Sequence, residues 1–167
     1  MSTRGYLGIK KKSELKGAYN HFDSYISGLG LDIAKEINAI NKDERVKILN
    51  ETYDYIKLVD ENSIPTQEQI NKCKEAGLVD LNVADRDEYD WYCLLRKAQG
   101  TLKPYINKEC PYMLNGNDFI DDDLFCEYAY IINLDDETFE IYTNGKHLIE
   151  TYPLNDIDIE DMLRIGD

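Results

Sequence analysis

Apolar residues alternate with polar ones near both ends of the chain and recur at helical spacing between them. The run Arg4-Gly5-Tyr6-Leu7-Gly8-Ile9, the polar turn Lys10-Lys11-Lys12-Ser13-Glu14 and Leu15-Lys16-Gly17-Ala18-Tyr19 predict a β-hairpin. After a Gly-rich elbow, Ser27-Gly28-Leu29-Gly30, the positions Leu31, Ile33, Ala34, Ile37 and Ile40 share one stripe and predict a helix from Leu31 to Asn41. Asp43 is the expected N-cap of a second helix, whose stripe is Val46, Leu49, Tyr53, Ile56 and Val59. Thr66 and Gln69 form a capping-box pattern for a third, short helix carrying Ile70, Cys73 and Ala76, with Gly77 suited to a left-handed stop. The stretch from Leu78 to Ala84 fits a loop or a brief strand equally. Asp87 is the expected cap of a fourth helix through Trp91, Tyr92, Leu94, Leu95 and Ala98, closed by Gly100.

From Thr101 to Asn117, Pro104, Pro111 and Asn115-Gly116-Asn117 predict an irregular stretch. Strand patterns return at 128–134, 138–142 and 147–152, joined by Asp135-Asp136-Glu137 and by Asn144-Gly145, a strong hairpin signal. Residues 156–165 fit a small acidic helix or an extended tail. The simplest assembly is an α+β fold: a mainly antiparallel sheet, made of the N-terminal hairpin and the C-terminal three-strand meander, covered by about four helices. With no linker or repeat in view, residues 1–167 are expected to form a single domain. A chain of 167 residues buries roughly two thirds of its unfolded surface without staples.

Composition changes this picture mainly through charge. The chain has 19 Lys and Arg against 33 Asp and Glu, a net charge of −14, so a phosphate backbone is repelled and direct nucleic-acid binding is not expected. Acidity of this kind serves solubility, or it marks a surface that mates with a basic partner by imitating nucleic acid. Thirteen tyrosines against four phenylalanines and one tryptophan suit amphipathic surfaces and interfaces, a homodimer's included. Cys73, Cys93, Cys110 and Cys126 stand far apart, no apolar leader precedes them and no run is long enough for a bilayer. Reduced thiols in a cytoplasm are therefore expected.

The densest chemical constellation is Tyr19-Asn20-His21-Phe22-Asp23-Ser24-Tyr25, with Arg4 on the partner strand and Gly28 and Gly30 just beyond. A histidine exchanges protons near neutral pH, Asp23 is placed to orient it or to pair with Arg4, and the amides of a Gly-x-Gly turn entering a helix can hold an anion. Structural networks at strand ends use the same residue types, so a framework role is the first expectation and catalysis the second. Ser2, if exposed by loss of Met1, is a further nucleophile candidate in the manner of N-terminal nucleophile hydrolases. Asp118, Asp121, Asp122 and Asp123, with Asp135, Asp136 and Glu137, are candidate interaction residues. They lack the spacing of a calcium loop, so no metal and no cofactor is expected.

The opening Ser2-Thr3-Arg4, the Gly/aliphatic strand and the run through His21-Phe22-Asp23-Ser24-Tyr25 to Gly28 and Gly30 resemble a signature of small phage and prophage proteins. The run 127–142 resembles that family's closing hairpin. Ile26 stands where those relatives usually carry proline. The resemblance implies a phage-type accessory protein acting in the cytoplasm of a bacterial host, and it carries over no activity. The leading expectation is a non-enzymatic anti-defence or host-interaction factor that inhibits a bacterial protein by binding through acidic and Tyr-rich surface. The alternatives are a small-molecule enzyme or binder of a nucleotide-like metabolite at the N-terminal motif, and a nucleic-acid mimic.

Overall fold

The computed structural model describes residues 3–83 and 87–167. Ser2, and Ala84 at the end of the undecided 78–84 stretch, lie outside them. In chain order the elements are β1 (Gly5–Lys11), β2 (Glu14–Asn20), a π-helical turn (Ile26–Gly30), α1 (Leu31–Asn38), α2 (Arg45–Tyr55), β3 (Lys57–Val59), α3 (Gln67–Glu75), α4 (Trp91–Leu94), α5 (Lys103–Ile106), β4 (Tyr112–Leu114), β5 (Tyr128–Asn133), β6 (Thr138–Thr143), β7 (His147–Pro153) and α6 (Ile159–Arg164). The main sheet has the order β2-β1-β5-β6-β7 and is antiparallel except where β1 runs parallel to β5. The α+β class and the union of the two hairpin regions in one sheet follow the sequence pattern. The β1–β2 turn uses Lys12 and Ser13 at φ 52° and 64°, and the β6–β7 turn uses Asn144 and Gly145 at 48° and 77°. Paired positive φ values match the twist of the flanking strands. The carboxylate of Asp135 accepts the amides of Lys12 (2.7 Å) and Ser13 (2.9 Å), tying the two hairpin regions together.

Several boundaries differ from expectation because distant side chains decide them. α1 stops at Asn38 rather than 41, where the buried Arg45 guanidinium donates to the carbonyls of Asn38 (3.1 Å), Ile40 (2.9 Å) and Leu154 (2.9 Å). Glu44, not Asp43, sits at the cap of α2. That helix ends at Tyr55, so Ile56 and Val59 leave the expected stripe; Lys16 Nζ takes the carbonyls of Tyr53 and Ile56 at 2.8 Å each, and β3 pairs in parallel with β4. The cap of α4 is Asp90, which accepts the amides of Tyr92 and Cys93, while Asp87 caps the turn before it. α4 is one turn long and passes into a 3-10 turn, Arg96–Ala98. The stretch expected to be irregular contains α5 and β4. The capping box of Thr66 and Gln69 forms as read, and Gly77 has φ 73°.

One face of the sheet, with Leu7, Ile9, Tyr130, Ile132, Phe139 and Ile141, packs into a cluster that includes residues of α1, α2, α3 and α6. The other face carries a smaller cluster around Tyr6, Ile120, Cys126, Ala129 and Ile131. Tyr6 lies flat over the cross-strand pair Gly8 and Gly17, where an added Cβ would stand 2.6 Å and 2.1 Å from its hydroxyl. Among the described residues, no helix is long and apolar enough to cross a membrane.

Candidate functional site

β1 and β5 start at the same end of the sheet, and β2 ends there, so the motif after Asn20 meets residues 117–128. Part of the motif builds this corner. Asn20 Nδ2 donates to the Phe22 carbonyl (2.7 Å) and to Ser24 Oγ (2.8 Å), the Ser24 amide donates to Thr3, and the Tyr130 hydroxyl donates to the Ser24 carbonyl (2.8 Å). Asp23 takes φ 54°, and its carbonyl accepts the Leu29 amide (2.9 Å) so close to Gly28 that a Cβ there would be 2.3 Å away. The Gly28 and Gly30 amides both donate to the Tyr25 carbonyl. Those amides are consumed inside the turn, and the Ser27 amide is held by the Asp167 carboxylate (2.9 Å), so the elbow offers no free donor set of the kind expected for an anion. Asn20, Asp23, Ser24, Gly28 and Gly30 are framework. Among the described residues, Asp23 pairs with neither His21 nor Arg4.

The remaining candidates, Arg4, Tyr19, His21 and Tyr25, join residues that spacing did not single out. His21 Nδ1 lies 2.6 Å from the Tyr19 hydroxyl, and its ring stands edge-on to Phe22 with centroids 4.3 Å apart. The Arg96 guanidinium stacks over Phe22 at 5.4 Å and that of Arg4 over Phe125 at 5.1 Å. Neither guanidinium has a carboxylate partner among the described residues. Burial first, then the charges of Arg96 and Arg4, hold the His21 imidazole below its ordinary range, and burial raises the Tyr19 phenol. The phenol therefore keeps its proton and the ring is neutral, and the direction of the hydrogen bond they share follows the ring's tautomer. Around this core Phe22 (52%), Tyr25 (38%), Phe125 (48%) and Leu124 (72%) keep unusual exposure for apolar side chains, and Tyr25 abuts Tyr128 at 6.3 Å.

No protein-family model, no curated protein and no solved structure matches the chain. The site is therefore characterised by its own geometry.

Against the patch lies a cleft of about 510 Å³, walled by Tyr19, Tyr92, Tyr105 and Phe119, with Gln99 and Asn115 among its polar groups and Asp118 and Asp122 at its edge. Tyr19 and Phe119 meet edge to face at 4.8 Å. His21 and Asp23 do not line it. His21 borders it through the Tyr19 hydroxyl and through Gln99 Oε1, which accepts the His21 amide (3.1 Å). Arg96, Phe119, Tyr92 and Phe125 were not legible as site residues, because exposure and stacking are set by the packing of segments far apart in sequence.

The acidic candidates separate into two places. Asp118, Asp121, Asp122 and Asp123 lie at the patch end of the sheet, where the Asp122 carbonyl accepts the Cys126 amide, Asp122 Oδ1 caps Leu124 and Phe125, and Asp121 pairs with Lys146. Asp135, Asp136 and Glu137 lie beyond the other end of β5, roughly 20 Å away along a six-residue strand. There Asp136 accepts from Asn133 Nδ2 (3.1 Å), and the Glu137 carbonyl accepts the Leu154 amide, which brings the acidic segment 156–161 to the same end.

Proposed function

We propose that the chain is a phage-type accessory protein that works without catalysis, binding and disabling a bacterial host protein through the end of the sheet that carries Arg4, His21, Phe22, Tyr25 and Phe125. The observation that carries this reading is the pair of guanidiniums, each without a carboxylate partner among the described residues and each stacked on a half-exposed phenylalanine. Arginine and large aromatic side chains dominate the energetics of protein interfaces, and an exposed cluster of them costs solubility unless a partner covers it. The acidic loop 118–123 borders the patch and supplies a polar rim. The resemblance to phage proteins supplies the bacterial host and its cytoplasm as the setting.

The reading is tested by affinity capture from bacterial lysate with the wild type and the double variant Phe22→Ser/Phe125→Ser. Both residues are half-exposed, so the variant is expected to keep the wild-type melting temperature. A stoichiometric partner held by the wild type and lost by the variant is the expected outcome. Equal capture by both, or no stoichiometric partner for the wild type, overturns the reading.

A further inference from the structure

We propose that the cleft beside the patch binds a purine nucleoside monophosphate, with the base between the aromatic walls and the phosphate at the rim formed by Arg96 and His21. A volume of about 510 Å³ falls within the usual range for small-ligand pockets, about 300–1,000 Å³. Its walls are fixed in place. The Tyr105 hydroxyl donates to the Tyr112 carbonyl (2.9 Å), and Tyr19 is held between Phe119 and His21. Rigid aromatic faces of this kind stack on nucleobases, because every base has a π-face.

The polar groups divide in the way that such a ligand divides. Hydrogen-bonding groups and carboxylates line the cleft itself: Asn115 Oδ1 already accepts the Asn117 amide (3.0 Å), which leaves its NH₂ to donate, and the exposed Asp118 carboxylate can accept. A purine edge presents ring nitrogens that accept and amino groups that donate, so amide and carboxylate side chains read it in complementary fashion. The cations stand at the rim. Arg96 lies in the turn whose neighbours Leu95 and Ala98 line the cleft, its guanidinium has no carboxylate partner among the described residues, and His21 is attached to the wall residue Tyr19. Arg4 adds its charge: it and Arg96 both depress the imidazole. Two guanidiniums thus bring positive charge near His21 in a molecule of net charge −14. With Glu61, Asp118 and Asp122 among the lining and this overall charge, one phosphate at the rim is accommodated and a polyphosphate or nucleic-acid strand is repelled.

The ligand occupies the cleft, whereas the protein partner proposed above covers the outward Phe22 and Phe125 rings, so the two readings fail separately. The experiment is an NMR titration at about 0.15 M salt, where charges beyond about 8 Å are screened. The probes are GMP and AMP, with guanosine, ribose 5-phosphate and a short oligonucleotide as comparison arms. A mononucleotide is expected to give saturable shifts at Tyr19, Gln99 and Asn115. Guanosine and ribose 5-phosphate are each expected to bind at least about tenfold more weakly, because each lacks half of the contacts. Arg96→Gln should bring the GMP affinity down about tenfold, toward that of guanosine, with an unchanged melting temperature. No saturable shift at the cleft up to millimolar nucleotide, equal affinities for GMP and guanosine, full GMP affinity in Arg96→Gln, or tighter binding of the oligonucleotide would each overturn the proposal.

Discussion

At the scale of single residues, the corner after β2 divides its motif between scaffold and surface. Asn20 and Ser24 spend side-chain atoms and Asp23 its carbonyl on the turn, whereas His21 feels the charges of Arg96 and Arg4. Because burial and then those charges lower its pKa, the folded state favours the neutral ring. The stability that depends on neutral His21 is therefore complete above the unfolded value of about 6.5 and is lost as pH falls through the lower folded value. An NMR titration is expected to place the His21 midpoint below 6.5, and Arg96→Gln should move it upward; a midpoint that ignores the substitution would mean that the two side chains do not share a site. Packing makes an equally local demand at Gly17, where a methyl group would stand 2.1 Å from the Tyr6 hydroxyl and 2.2 Å from its ring. Gly17→Ala should cost about 1–3 kcal/mol in denaturant unfolding, because Tyr6 is held by Asn117 and cannot swing aside. Alanine at Gly77, where the space is open, meets only the strain of φ 73°, about 1–2 kcal/mol.

At the scale of elements, Asn117 acts as a surrogate strand along the outer edge of β2. Its Oδ1 accepts the Tyr6 hydroxyl (2.8 Å) and the Gly17 amide (3.1 Å), and its Nδ2 donates to the Leu15 carbonyl (2.9 Å). Beside it the Gly116 amide donates to the Gly17 carbonyl (2.9 Å). An open edge invites pairing with another chain, and this clasp covers it. Asn117→Ala leaves buried groups without partners, so a loss of about 2–3 kcal/mol in stability is expected, together with faster hydrogen exchange in β2. Unchanged β2 exchange would show that the clasp is dispensable. Elements whose signals are local were readable from the sequence: the two hairpins with their turn chemistry, the Thr66 capping box, the stop at Gly77. Those set from a distance were not. Ile56 and Val59 keep helical spacing with Tyr53, and only Lys16 and the pairing of β3 with β4 turn them into extended chain. The end of α1 is likewise fixed by Arg45 rather than by its own residues. The candidate site was half legible for the same reason: His21 and Tyr19 stand in a recognisable run, while Arg96, Phe119 and Phe125 reach them from segments about 75 to 105 residues further on, and only packing can do that.

At the scale of the whole molecule, the three acidic clusters of the sequence fall at two ends of the sheet. The 135–137 turn and the 156–161 segment share one end of the sheet, where several of their carboxylates are committed to structure: Asp135 to the first hairpin, Asp158 to the cap of α6, Asp161 to the Tyr152 hydroxyl (2.8 Å). The opposite end combines the 118–123 loop with the arginine–aromatic patch and the cleft. A surface imitating nucleic acid would need its carboxylates in one array, and these lie about a strand's length apart, so the patch end is the better candidate for a partner. The central claim is that this end binds. Hydrogen exchange of the chain alone and in complex with its captured partner tests it most directly. Protection confined to residues 3–5, 19–25, 96–98 and 119–128 is the predicted footprint; protection centred on 135–137 and 156–161, with the patch end unchanged, would contradict it.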